Sequence, residues 1–246
     1  MTIRIPGMWK GEAQPIGVFV ASEADDGLRL LDIHSSETPR LALDRDKIAV
    51  AGESICELLV RVRQALLDYR EGDPRPRFAL DPMAEPERKL LAEILGDGEV
   101  AITLGVDPRF EVTESVLPGL WRIRVVEPGG ALLQEWLEIG DVPEVVRAGA
   151  RIMTRNEMDL PEAQPEGSMN AFPILGEVRE KMRSWQPGEP NHVVNFTLMP
   201  MTPVDSTLLA RVLGRSAFES NSRGFGWCKV YLTAHRNVWG VQYFNG

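Results

Sequence analysis

The chain has 246 residues, of which 43% are apolar and 26% charged. These are the proportions of a folded protein and exclude a disordered, collagenous or disulfide-stapled chain. With 36 Asp and Glu against 27 Lys and Arg the net charge is −9, which argues against a protein that coats nucleic acid or an anionic membrane, because the phosphate field repels it.

The start of the chain, Met1-Thr2-Ile3-Arg4-Ile5-Pro6-Gly7, lacks the apolar core of a signal peptide. No apolar run approaches the ~20 residues that span a bilayer, so a cytoplasmic protein without direct membrane insertion is expected. Residues 1–50 read as a loosely ordered arm, broken by Pro6, Pro15 and Pro39, with one candidate strand at Ile16–Val20.

From residue 51 the pattern becomes regular. Ile55, Leu58, Leu59, Val62, Leu66 and Leu67 recur at helical spacing. A short strand follows at Arg77–Leu80, then a helix at Glu85–Leu95 stopped by Gly96. Strands are predicted at Glu99–Leu104, Arg109–Val116 and Leu120–Val126. A further strand at Ala131–Ile139 and a short helix around Pro143–Ala150 complete a first unit over 51–158. The Pro- and Glu-rich stretch 159–169 reads as a linker.

Residues 170–246 repeat the pattern. An offset of 118 without a gap matches Val60-Arg61 with Val178-Arg179, Phe78 with Phe196, Leu80 with Leu198, and Pro82-Met83 with Pro200-Met201. It also matches Leu90-Leu91-Ala92, Leu95-Gly96, Val112 and Trp121 with their counterparts, 13 identities over 62 positions. The second copy then has a helix carrying Ile174, Leu175, Val178 and Met182, a strand at Val193–Leu198, and a helix at Pro203–Leu213 stopped by Gly214. The expected fold is α+β, a tandem duplication of an α-β-α-β-β-β unit with mainly antiparallel sheets and helices packed on one face. The second unit, lacking the last strand and helix of the first, ends where Gly246 corresponds to Pro128. Either the natural chain continues, or another segment pairs the Trp239–Phe244 edge; the first is the expectation. Charge divides unevenly, residues 1–169 holding 19 basic and 31 acidic side chains and residues 170–246 holding 8 and 5.

Reactive constellations are not apparent. Cys56 and Cys228 stand alone, and His34, His192 and His235 have no ligand at metal spacing; neither a metal nor a cofactor is expected. Arg223-Gly224-Phe225-Gly226-Trp227 partly echoes an RNA-recognition strand, but it lacks a companion aromatic strand and sits in an acidic chain. Other segments carry adhesive residue types. Gly119-Leu120-Trp121-Arg122 and His235-Arg236-Asn237-Val238-Trp239 set cations beside tryptophans, which are also the natural buried anchors of their sheets. Ser168-Met169-Asn170-Ala171-Phe172-Pro173 enters a helix, with Ser168 or Asn170 as the expected cap and Met169 and Phe172 as groove-lining candidates.

These segments, together with Gly96-Asp97-Gly98-Glu99-Val100, resemble in order and spacing the hydrogenase expression/formation family of HupH/HyaF type. The resemblance covers roughly residues 50–246, with Ala171 where the family commonly has Gly. It implies a non-enzymatic accessory protein for an uptake [NiFe]-hydrogenase, chaperone-like, with a hydrogenase subunit and other maturation factors as partners. The implied client is the iron–sulfur small subunit before its export by the twin-arginine route. The candidate partner-binding residues are Trp121, Arg122, Met169, Asn170, Phe172, Pro173, His235, Arg236 and Trp239. The alternatives are an enzyme whose site is assembled across the two copies around Cys56 or Cys228, and an RNA-binding regulator.

Overall fold

The computed structural model describes residues 16–19, 43, 45–186, 189–196, 199–222 and 227–244. Most of the predicted N-terminal arm, His34, and the glycines of the RNA-like motif lie outside the described residues. The chain forms two compact units, Glu23–Pro143 and Met1–Ser22 with Glu144–Gly246.

The Glu23–Pro143 unit contains α1 (Arg45–Ala49), α2 (Glu53–Asp68), β2 (Arg77–Ala79), α3 (Glu85–Leu95), β3 (Val100–Leu104), β4 (Arg109–Glu114), β5 (Leu120–Val126) and β6 (Leu132–Ile139). Its strands lie in the order β2-β6-β5-β4-β3, and the pairs β2–β6, β6–β5, β5–β4 and β4–β3 are all antiparallel. Ile55, Leu58 and Val62 of α2 and Leu91, Ile94 and Leu95 of α3 close over Phe78, Leu80, Leu120, Leu137 and Ile139. Leu67, placed on the buried face of α2 by sequence spacing, is exposed.

The other unit contains β1 (Ile16–Phe19), α4 (Glu144–Ile152), α5 (Ala171–Ser184), β7 (Val193–Asn195), α6 (Pro203–Leu213), β8 (Phe218–Ser222), β9 (Trp227–Leu232) and β10 (Val238–Phe244). Its strands run in the order β8-β9-β10-β1-β7. Ala171, Ile174, Leu175 and Val178 of α5 pack with Leu208, Leu209, Val212 and Leu213 of α6 on Val194, Phe196 and Val238.

The two units follow the same element order, but the unbroken offset of 118 holds only from α3 onward. There β3, β4 and β5 and their counterparts β8, β9 and β10 start and end 118 residues apart. Earlier, the buried Ile55, Leu58 and Val62 of α2 correspond to the buried Ala171, Ile174 and Val178, an offset of 116. The matched pair Val60 and Val178 shows why: Val60 is 66% exposed and Val178 0%. At 3.6 residues per turn, a shift of two turns a residue to the opposite helix face, so burial sets the register and the identities at Val60, Arg61, Phe78 and Leu80 do not mark equivalent sites. The two extra residues enter before Thr202, since the Met83 amide donates to the Leu80 carbonyl at 3.0 Å and the Met199 amide to that of Phe196 at 3.1 Å.

One boundary also differs from the sequence reading. Helix α4, expected to end the first unit, belongs with the second half of the chain. The segment after it is tied down by Arg155 N donating to Ala234 O (3.0 Å), Arg236 N to Arg155 O (2.9 Å) and the buried Met158. In addition, the Trp239–Phe244 edge is paired: β1 lies beside β10, with Ile16 opposite Val238 and Phe19 opposite Val241. β1 runs parallel to both β10 and β7, whereas the β8–β9 and β9–β10 ladders of the same unit are antiparallel.

Candidate functional site

The α5–α6 junction is organised by one carboxylate. Thr202 and Asp205 form a capping box at the start of α6: Asp205 N donates to Thr202 Oγ1 (3.1 Å) and Thr202 N to Asp205 Oδ2 (3.0 Å). The other oxygen, Oδ1, accepts from Ser168 Oγ (2.7 Å), Met169 N (2.9 Å), Asn170 N (3.2 Å) and Ala171 N (3.0 Å). Asp205 thus serves the first turns of both helices while buried at 0% exposure. Burial alone raises its pKa, but the Thr202 and Ala171 amides, the Ser168 hydroxyl and the Met169 amide outweigh it and hold the carboxyl well below the usual carboxylate range. The expected caps act differently: the Asn170 side chain does not cap α5, and its Nδ2 donates instead to Pro200 O at 2.6 Å. Ser168 contributes by binding Asp205. Sequence reasoning missed Asp205, although the Thr202-x-x-Asp205 spacing before an apolar run signals a capping box.

With its backbone pinned, this junction presents apolar side chains outward. Met169 is 58% exposed, Pro173 is exposed, and Phe172 is half-buried against the α5–α6 core. Met199 and Val204, from the strand exit and first turn of α6, are also exposed. Met169, Asn170, Phe172 and Pro173 are therefore brought together on one junction.

The remaining candidates belong to two turns of identical construction, one in each unit. In the first, Leu117 N donates to Ser115 Oγ, Ser115 N to Leu120 O and Val116 N to Leu95 O. In the second, His235 N donates to Thr233 Oγ1, Thr233 N to Val238 O and Ala234 N to Leu213 O. Gly119 (φ +82°) and Asn237 (φ +61°) hold the same left-handed position, which glycine and asparagine tolerate best. The structure places Trp121, His235 and Trp239 inside rather than on the surface. Trp121 is buried with Nε1 donating to Gly140 O (2.9 Å), and Trp239 meets the Phe218 ring edge-on with centroids 5.1 Å apart. His235 is fully buried, its ring nitrogens 2.9 Å from Glu157 O and 2.7 Å from Val212 O. It is a packing element within the turn and not an exposed partner contact.

Arg122 and Arg236 are half-buried. Arg122 Nε binds Glu135 Oε1 at 2.6 Å, and Arg88 Nε reaches the other oxygen of that buried carboxylate at 3.4 Å. Arg236 Nη2 donates to Arg151 O at 3.2 Å. Among the described residues no group of three or more His, Cys, Asp or Glu could hold a metal ion, and no helix is long and apolar enough to cross a membrane.

The fold and the junction describe an α+β protein with an outward-facing, methionine-bearing surface on a rigid hydrogen-bonded base. The family model for the C-terminal conserved region of the HupH hydrogenase expression protein matches residues 54–162 and 168–246, so the chain belongs to this family. The hydrogenase expression/formation protein HoxQ of Cupriavidus necator is 39% identical over 189 residues, covering 75% of this chain and 66% of the relative. HupQ of Azotobacter chroococcum, of the same description, is 36% identical over 220 residues, covering 87% and 75%. The hydrogenase-1 operon protein HyaF of Escherichia coli is 29% identical over 161 residues, covering 63% and 54%. The chain thus spans just under two thirds of the length of the Cupriavidus relative. The solved hydrogenase expression protein HupH of Thiobacillus denitrificans aligns with a TM-score of 0.37 at 25% identity, covering 41% of this chain and 88% of that one.

Proposed function

We propose that this chain is a cytoplasmic, non-enzymatic accessory protein in the maturation of an uptake [NiFe]-hydrogenase, holding the iron–sulfur small subunit before export and acting beside other maturation factors. Membership of the HupH family carries this reading. The α5–α6 junction supports it physically. Met169, Phe172, Pro173, Met199 and Val204 supply an adaptable apolar surface on a base fixed by Asp205, and exposed methionines suit a surface that must follow a client's shape. Within the same unit, His235 and Trp239 hold the turn that carries the half-buried Arg236; Trp121 and Arg122 belong to the other unit.

An enzyme built on the cysteines is less well supported. Burial pushes the Cys228 thiol up, away from the reactive thiolate. The test is association of the purified chain with immature small subunit, compared with Met169→Asp and Pro173→Glu. The proposal expects binding that both variants weaken by about tenfold or more; no association of the wild-type pair contradicts it.

A further inference from the structure

The place occupied by β1 differs from its counterpart in the other unit. In the Glu23–Pro143 unit, the space between β5 and β2 is filled by β6. β6 is tethered to β5 by a tight turn in which Glu127 N donates to Ala131 O (2.9 Å) and Gly130 N to Glu127 O (2.8 Å), and its register runs from Leu120–Ile139 to Val126–Leu132. In the other unit the corresponding space lies between β10 and β7. It holds β1, which comes from the opposite end of the sequence and runs in the other sense, parallel to both neighbours.

The geometry points to β1 as an exchangeable occupant of a strand-accepting slot, whose other occupant is an extended peptide from a partner protein with apolar side chains at alternate positions. Three features carry this. β1 is four residues long and has glycine in its interior, Gly17, opposite Trp239 on one side and Val193 on the other; interior glycine weakens a strand and loosens its register. Both its ladders are parallel, the slightly weaker pairing. Finally, β6 lies antiparallel to both its neighbours and β1 parallel to both of its own, so the two units fill corresponding places with strands of opposite sense.

The walls set the chemistry. Val194 of β7 and Val238 of β10 are buried in the α5–α6 core, and they define the row on which an entering strand must place apolar side chains. Backbone ladders on both sides supply sequence-independent attachment, as in other recognition by strand addition. The inference does not depend on which protein supplies the peptide, and therefore stands or falls separately from the hydrogenase reading.

The test uses the full chain and a fluorescent peptide of residues 14–21, with a scrambled peptide as control. Gly17→Pro and Val18→Pro each remove one ladder donor from the resident strand. Removing the intramolecular competitor is expected to tighten binding of the labelled peptide by roughly tenfold or more over wild type, with no gain for the scrambled peptide. Absence of binding to folded variants, or equal binding of the scrambled peptide, overturns the proposal. Hydrogen exchange on the unmodified protein gives an independent answer: amides of Ile16–Phe19 should exchange well before those of β9. Equal protection would make β1 a permanent strand and overturn the proposal even if the proline variants do not fold.

Discussion

Asp205→Asn is the substitution that most directly probes how the α5–α6 junction is held. It preserves shape but replaces a charged acceptor by an amide, one half of which donates. If the retained oxygen keeps Ser168 Oγ and the amides of Met169, Asn170 and Ala171, the new NH2 faces the Thr202 amide, donor against donor. Hydrogen bonds to a charged group are worth about 1.5–3 kcal/mol and neutral ones about 0.5–1.5. Losing charge assistance over this set, with one bond replaced by a clash and the terms less than additive, gives a cost of about 3 kcal/mol. That corresponds to a fall in Tm of about 6–12 °C for a protein of this size.

The cost should depend on pH with a definite sign. The native carboxyl titrates below its unfolded value of about 3.9, because the hydrogen bonds outweigh the opposing effect of burial. Its stabilisation is therefore complete above about pH 5 and is lost as pH falls toward the native value. Urea unfolding of both proteins, followed by circular dichroism at pH 7 and pH 3.5, should show the gap shrinking at the lower pH. A gap below 1 kcal/mol at pH 7, or one unchanged at pH 3.5, would refute the assignment of Asp205 as a charged double cap.

Two further substitutions test the turns and strands. Gly240→Ala places a Cβ 2.0 Å from Tyr231 Cζ, on a ring that also stacks under Arg215 at 4.0 Å; thermal unfolding should show destabilisation of about 2–3 kcal/mol, and a neutral effect would mean the ring does not cross this glycine. Trp121→Phe removes the bond from Nε1 to Gly140 O and leaves a buried carbonyl unpaired, so urea unfolding should report a loss of about 1–3 kcal/mol with client binding reduced no more than stability explains.

The parts of the fold written in local chemistry were legible in the sequence. α3 and α6 are bounded by proline in the first turn and glycine at the end, and both helices lie where those signals put them. β5 was read to the residue because its apolar alternation and flanking turns coincide. What depended on distant partners was not legible. The two-residue shift between α2 and α5 is decided by which face meets the sheet, and chance identities at Val60 and Phe78 masked it. The pairing of β1 with β10 joins opposite ends of the chain and leaves no local mark. At the candidate site, Met169 and Phe172 are recognisable from sequence as groove-lining residues, whereas Asp205 carries only the capping-box spacing with Thr202. Its reach back to Ser168 exists only once the two helices are packed. His235 differs in the opposite direction: its place beside Arg236 and Trp239 suggests a partner contact, and only the fold surrounds it with the Glu157 and Val212 carbonyls.

The central claim is that the α5–α6 junction meets an immature hydrogenase small subunit. A photo-cross-linking residue placed at Met169 tests it in cells making that subunit, with Ile152, 83% exposed on α4, as the control position. The account predicts a covalent adduct with the small subunit from position 169 and none from position 152. Adducts absent from position 169, or formed equally from both, would contradict it.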